Sequence, residues 1–174
     1  MENQVYTSEA NRILNVIEKF SKSNYFKYHC ISDTRNSERY LFYGITYSYA
    51  SMRFNKYDKL IGFYIYIEDL PIKDKLTNLI HEFGHVLDFY YNRNLFSFEE
   101  NRNKLAEEVR AWIYGIKLLS DMNLLDRTSF YRSIMSYVYD LSYNIPRSEE
   151  RKYNDFIDCI LFNGNINNFK PEMF

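Results

Sequence analysis

The sequence is short of the residues that most often announce a chemistry. It has two cysteines, Cys30 and Cys159, far apart and without metal-ligand spacing, so a cysteine zinc cluster is excluded. Two free thiols in a reducing compartment are the expectation, with a single disulfide as the alternative. The net charge is only −1, with no basic run and no acidic tail, so nothing marks a nucleic-acid partner. No apolar stretch reaches the roughly 18 residues that a membrane-spanning helix needs. The first residues, Met1-Glu2-Asn3-Gln4-Val5-Tyr6, lack a basic region followed by an apolar one, so no signal peptide is expected and the protein is read as soluble and cytoplasmic. No repeat, low-complexity tract or second domain is visible, so residues 1–174 are expected to form one domain, and a monomer.

What the chain does contain is apolar and aromatic surface. Hydrophobic residues make up 46% and charged residues 26%, the balance of a globular chain rather than a disordered one. Eighteen tyrosines and fourteen phenylalanines imply large amphipathic packing surfaces before they imply a binding face.

The periodicities predict an α+β order. Residues 8–22 read as a helix with Ser8 as N-cap and Ile13, Leu14, Ile17 and Phe20 as its apolar stripe. Residues 25–31 read as extended and hold His29, for which a structural role is the simpler expectation. A period of two runs through 39–54, with Leu41, Tyr43, Ile45, Tyr47 and Tyr49 on one face and Thr46, Ser48 and Ala50 on the other. A second strand, 60–68, turns Ile61, Phe63, Ile65 and Ile67 to a core, with Tyr64 and Tyr66 opposite. These are expected to form a small antiparallel sheet. Pro71 suits the first turn of a helix reaching about residue 91, with Leu76, Leu79, Ile80, Phe83, Leu87 and Tyr90 as its apolar band. Ser97 with Glu100 is a capping box for a helix to about 119; Asp126 or Thr128 opens another to about 143. A last helix runs over about 148–162 and stops near Gly164.

The helix from 71 carries His81-Glu82-Phe83-Gly84-His85, an H-E-x-x-H pattern. Residues four apart lie one turn above each other on a helix, so His81 and His85 can offer two imidazole nitrogens to one Zn²⁺. Glu82 then sits beside the metal, where its carboxylate can take a proton from an activated water and return it to a leaving group. A catalytic zinc usually has a third protein ligand and an open position. No histidine follows His85, and Asp88 stands where the pattern H-E-x-x-H-x-x-G-x-x-H has its glycine. The third ligand is therefore expected from a carboxylate of the next helix, where Leu105-Ala106-Glu107-Glu108-Val109-Arg110-Ala111-Trp112 offers two.

H-E-F-G-H followed by E-x-x-A at the start of the next helix resembles the gluzincin metallopeptidases. More narrowly, it is similar to the ImmA/IrrE-like peptidases and to the catalytic domains of lethal-factor-type toxins. The resemblance covers roughly residues 60–118 and implies a zincin-like fold, with His81, His85 and Glu108 as zinc ligands and Glu82 as general base. Trp112 departs from the small polar or acidic residue common after that alanine. Helix phase favours the same carboxylate: Glu108 shares a face with Ala111, Trp112 and Gly115, whereas Glu107 lies about 100° round, where Arg110 can pair with it in solvent. Asp88, three residues past His85, is a candidate to orient a ligand ring, with another polar contact or simple exposure as equal alternatives.

The functional expectation is a zinc-dependent endopeptidase acting on a protein or extended peptide, held by addition to a sheet edge that the sequence does not identify. The alternative is a regulatory or antagonist protein that uses the same fold to bind one partner with little or no hydrolysis. A zinc hydrolase with a small non-peptide substrate is a third class, since the motif specifies the metal and not the substrate.

Overall fold

The computed structural model describes residues 2–31, 48–57, 59–67, 72–93, 104–123, 147–162 and 164–174. The elements are α1 (Glu2–Ser23), β1 (Lys27–Ile31), β2 (Tyr49–Phe54), β3 (Leu60–Tyr66), α2 (Ile72–Tyr91), α3 (Lys104–Asp121) and α4 (Glu150–Leu161), followed by two short 3₁₀ turns, Ile166–Asn168 and Pro171–Met173. The architecture is α+β. The expected strand residues 39–47, the capping box at Ser97 and the helix over 126–143 lie outside the described residues.

The helix α1 begins six residues before Ser8, so that serine is not its N-cap. Its inward stripe is the expected one: Ile13 and Ile17 are buried, and Leu14 and Phe20 pack against the core. Tyr25 closes the helix at positive φ, with the Phe26 N–H bonded to the Ser21 carbonyl, and the chain turns into β1.

The sheet is mixed rather than antiparallel. Its order is β1-β3-β2, with β1 parallel and β2 antiparallel to the central β3. The sequence suggested antiparallel pairing because only the 39–54 and 60–68 strands showed clear alternation. The parallel partner, β1, reaches the sheet from α1, and a parallel neighbour has no local turn to betray it. Along β3, Phe63 and Ile65 are buried, as is Ile67 just beyond it, but Ile61 is 41% exposed. The cause is a register shift: Arg53 faces Gly62 and Phe54 faces Leu60, leaving Ile61 as an extra residue that the alternation cannot carry inward.

The helix α2 is the hub, packing on α1, β2, β3 and α3. Every residue from Leu79 to Phe89 is buried or half-buried. Such a helix has no solvent side, so the polar residues in this run, His81, Glu82, His85 and Asp88, must find partners in the protein. One contiguous core joins α1, the sheet, α2, α3, α4 and the C-terminal turns, with Trp112, Tyr153, Phe63, Phe83 and Phe156 as its largest members. The last helix ends as expected: the Gly164 N–H bonds the Cys159 carbonyl at 2.8 Å. Both cysteines are free thiols. No described helix is long and apolar enough to cross a membrane.

Candidate metal centre

The close approach of α2 and α3 starts from small residues. A Cβ at Gly84 would lie 2.1 Å from the Ala111 carbonyl oxygen, and one at Gly115 would lie 3.1 Å from that of Ile80. Glycine is required at 84 because backbone meets backbone there. At this separation the side chains flanking the contact reach across the seam without extending into solvent.

On one flank His81 and His85 converge on Glu108. His81 Nε2 lies 3.0 Å from Glu108 Oε2, and His85 Nε2 lies 3.4 Å from Glu108 Oε1. One ligand atom from each of the three residues falls within 4.8 Å of the others, a group that can hold a metal ion. Ligand atoms set tetrahedrally about 2.0–2.2 Å from one ion lie about 3.3–3.6 Å apart, so the donors fit a small ion with slight opening. Two imidazoles and a carboxylate are also a donor set of the chemical kind that zinc takes. His29, the remaining histidine, lies elsewhere, exposed and stacked on Tyr64 of the sheet.

Burial pushes His81 down to about 4 against the pull of Glu108, which leaves the neutral imidazole that a metal requires. Burial also acts to lower His85, but its hydrogen bond to Glu108 and the surrounding carboxylates outweigh that and raise it. Burial would raise Glu108, yet its contacts to the two imidazoles hold it far below the usual carboxylate range. Glu82, only 4% exposed, is pushed up by burial to about 7; the charge of His85 and a hydrogen bond from the Ala50 backbone act the other way. Ala50 is on β2, an edge of the described sheet, so an edge strand passes directly at this carboxylate. One turn before Glu82, Asn78 Nδ2 donates to Ser48 Oγ at 3.1 Å and ties the same strand to α2.

On the other flank Asp88 takes both oxygens to Arg110 Nε, at 2.9 Å each, and accepts a further bond from Asn92 Nδ2 at 2.9 Å. Asn92 also donates to the Tyr114 hydroxyl. This corrects two expectations. Arg110 is not on a solvated face beside Glu107: it is 3% exposed and its Nε bonds Asp88. Glu107 is itself buried, because the seam covers more of α3 than a one-sided amphipathic helix would bury. Asp88 bonds Arg110 and Asn92, so its contacts are with the helix seam.

Sequence reading missed Arg110, Asn92 and the Ala50 contact, and it treated Trp112 only as a departure from a pattern. Trp112 is 1% exposed and lies against the His81 ring, centroids 4.0 Å apart and planes at 29°. A signal for this was available: Trp112 is four residues after Glu108, hence on its face. No protein-family model, curated protein or solved structure matches this chain.

Proposed function

We propose that this protein is a zinc-dependent endopeptidase that hydrolyses a peptide bond in an extended segment of a protein substrate. The observation that carries the reading is the convergence of His81, His85 and Glu108 from two helices beside the buried carboxyl of Glu82. His81, His85 and Glu108 would hold the zinc, which when bound supplies a Lewis acid for the substrate carbonyl and the attacking water. Glu82 is the general base. It takes a proton from the water as its oxygen bonds to the carbonyl carbon, then delivers that proton to the nitrogen as the C–N bond breaks. The Ala50 N–H restrains the carboxylate. Because β2 is an edge of the sheet among the described residues and passes at Glu82, a peptide added along it as a further strand would bring an amide beside the base.

The test is a screen for new N-termini in a host proteome treated with the wild-type protein or with Glu82→Gln. Discrete cleavages that fall by roughly two or more orders of magnitude in the variant, at unchanged zinc content, are expected. Cleavage by Glu82→Gln at near wild-type rate would end the reading. Zinc binding with no cleavage and one retained protein would favour the antagonist alternative.

A further inference from the structure

The contact of Gly84 with Ala111, together with the buried Val109, Ile113 and Ile116, sets how near α3 comes to α2 and which broad face it turns inward. Glu107 and Glu108 stand about 100° apart on that helix, so a partial rotation would already take Glu108 away from the histidines. Polar contacts on the other flank of the seam are placed to resist it. Arg110 lies about 200° round α3 from Glu108, so the two side chains flank the Ala111 contact on opposite sides. Long helical side chains lean toward the N-terminus of their own helix, which in α3 is the end facing Asp88 and Asn92. From there Arg110 Nε reaches both oxygens of Asp88, and the Tyr114 hydroxyl reaches Asn92. Asp88 is 0% and Arg110 3% exposed, so a rotation that broke the pair would strand two charges away from water.

We propose that Asp88 and Arg110 are positioning residues: their buried ion pair sets the rotation of α3 against α2 and thereby aims Glu108, not Glu107, at His81 and His85. The inference rests on the metal-centre reading in that its consequence is zinc affinity. The rotation itself has a readout that needs no metal. Trp112, the one tryptophan of the chain, shares the face of Glu108 and stacks on His81, so its emission reports the phase of α3.

The experiment compares the wild-type protein with the double variant Asp88→Leu/Arg110→Met and with Arg110→Lys. Replacing both members of a buried pair by apolar residues of similar size is often neutral for folding, which separates positioning from stability. Arg110→Lys keeps the charge and loses the guanidinium geometry, and it decides the matter if the double variant does not fold. In a folded variant with a near wild-type melting profile, zinc affinity by chelator competition is expected to fall roughly 10- to 100-fold, the scale seen when the support of a ligand is lost. The zinc-free variant should also show altered Trp112 emission and quencher access. A folded variant that binds zinc within twofold of wild type and leaves Trp112 emission unchanged overturns the proposal. If the wild-type protein binds no zinc, the metal-centre reading fails; the Trp112 comparison in metal-free protein then decides the phase-setting role alone.

Discussion

Less than one helical turn of α2 separates His85 from Asp88, yet the two residues belong to buried polar groups of opposite construction. Asp88 meets a guanidinium and an amide, donors that balance its charge. His81 and His85 share the carboxylate of Glu108, and burial drives His81 toward the neutral form. The Asp88 group carries its own counter-charge in Arg110, as a structural ion pair should. The His81 group gathers two nitrogen donors and one anionic oxygen at spacings that suit a common cation. Burial alone therefore does not mark a functional site; the charge balance of the buried cluster does.

The sharpest way to break this comparison is to remove carboxylates one at a time. Glu108→Ala is expected to weaken zinc binding at least roughly a hundredfold, given apparent zinc binding energies of about 10–16 kcal/mol shared over three or four ligands. Glu107→Ala should leave affinity close to wild type, although its burial means that stability can fall. Elemental analysis and chelator competition read both. Equal losses would mean that both acids serve the metal, and the reverse pattern would mean that α3 is turned from the position described.

A second test concerns Glu82 in metal-free protein. Burial raises its carboxyl from 4.5 to about 7, so the unfolded chain loses this proton at lower pH than the folded one. The stability it contributes at acid pH is lost as pH rises from 4.5 to about 7, by as much as about 3 kcal/mol. Glu82→Gln removes that dependence. Denaturant titrations should show the variant gaining on the wild type between pH 5 and pH 8; parallel curves would mean that the carboxyl is ionised in the fold. His81, lowered to about 4, acts in the opposite sense, favouring the fold as pH rises through its window, and it is common to both proteins.

The seam itself is tested through its two glycines. Gly84→Ala sets a methyl 2.1 Å from the Ala111 carbonyl oxygen, where backbone must move, so its cost is expected at or above the top of the about 1–3 kcal/mol typical of overpacking. Zinc affinity should fall with it as Glu108 is pushed back. Gly115→Ala, with 3.1 Å to the Ile80 oxygen, should cost less on both measures. If Gly84→Ala were the milder change, the seam would be looser than the geometry implies.

Much of this was legible in the chain because it is local. The i,i+4 spacing puts His81 and His85 on one face whatever surrounds the helix, and Ala111 and Gly115 mark the face of α3 that approaches it. The α+β order followed from alternating and helical periods in the same way. The buried state of Glu107 and Arg110 was not legible, since a glutamate and an arginine three apart look like a solvated pair until a second helix covers them. Nor was the parallel pairing of β1, which depends on where α1 delivers the chain, or the exposure of Ile61, which depends on a shift in its partner's register.

By itself the sequence determined the donors: which residue types stand one turn apart, and which carboxylates are near enough in the chain to join them. The tertiary structure alone decided that Asp88 belongs to Arg110, that Trp112 lies on His81, and that β2 meets Glu82 at Ala50. The reason is range. Side-chain spacing within a helix is set by its 3.6-residue turn, whereas contacts between elements depend on how whole surfaces of the chain pack together.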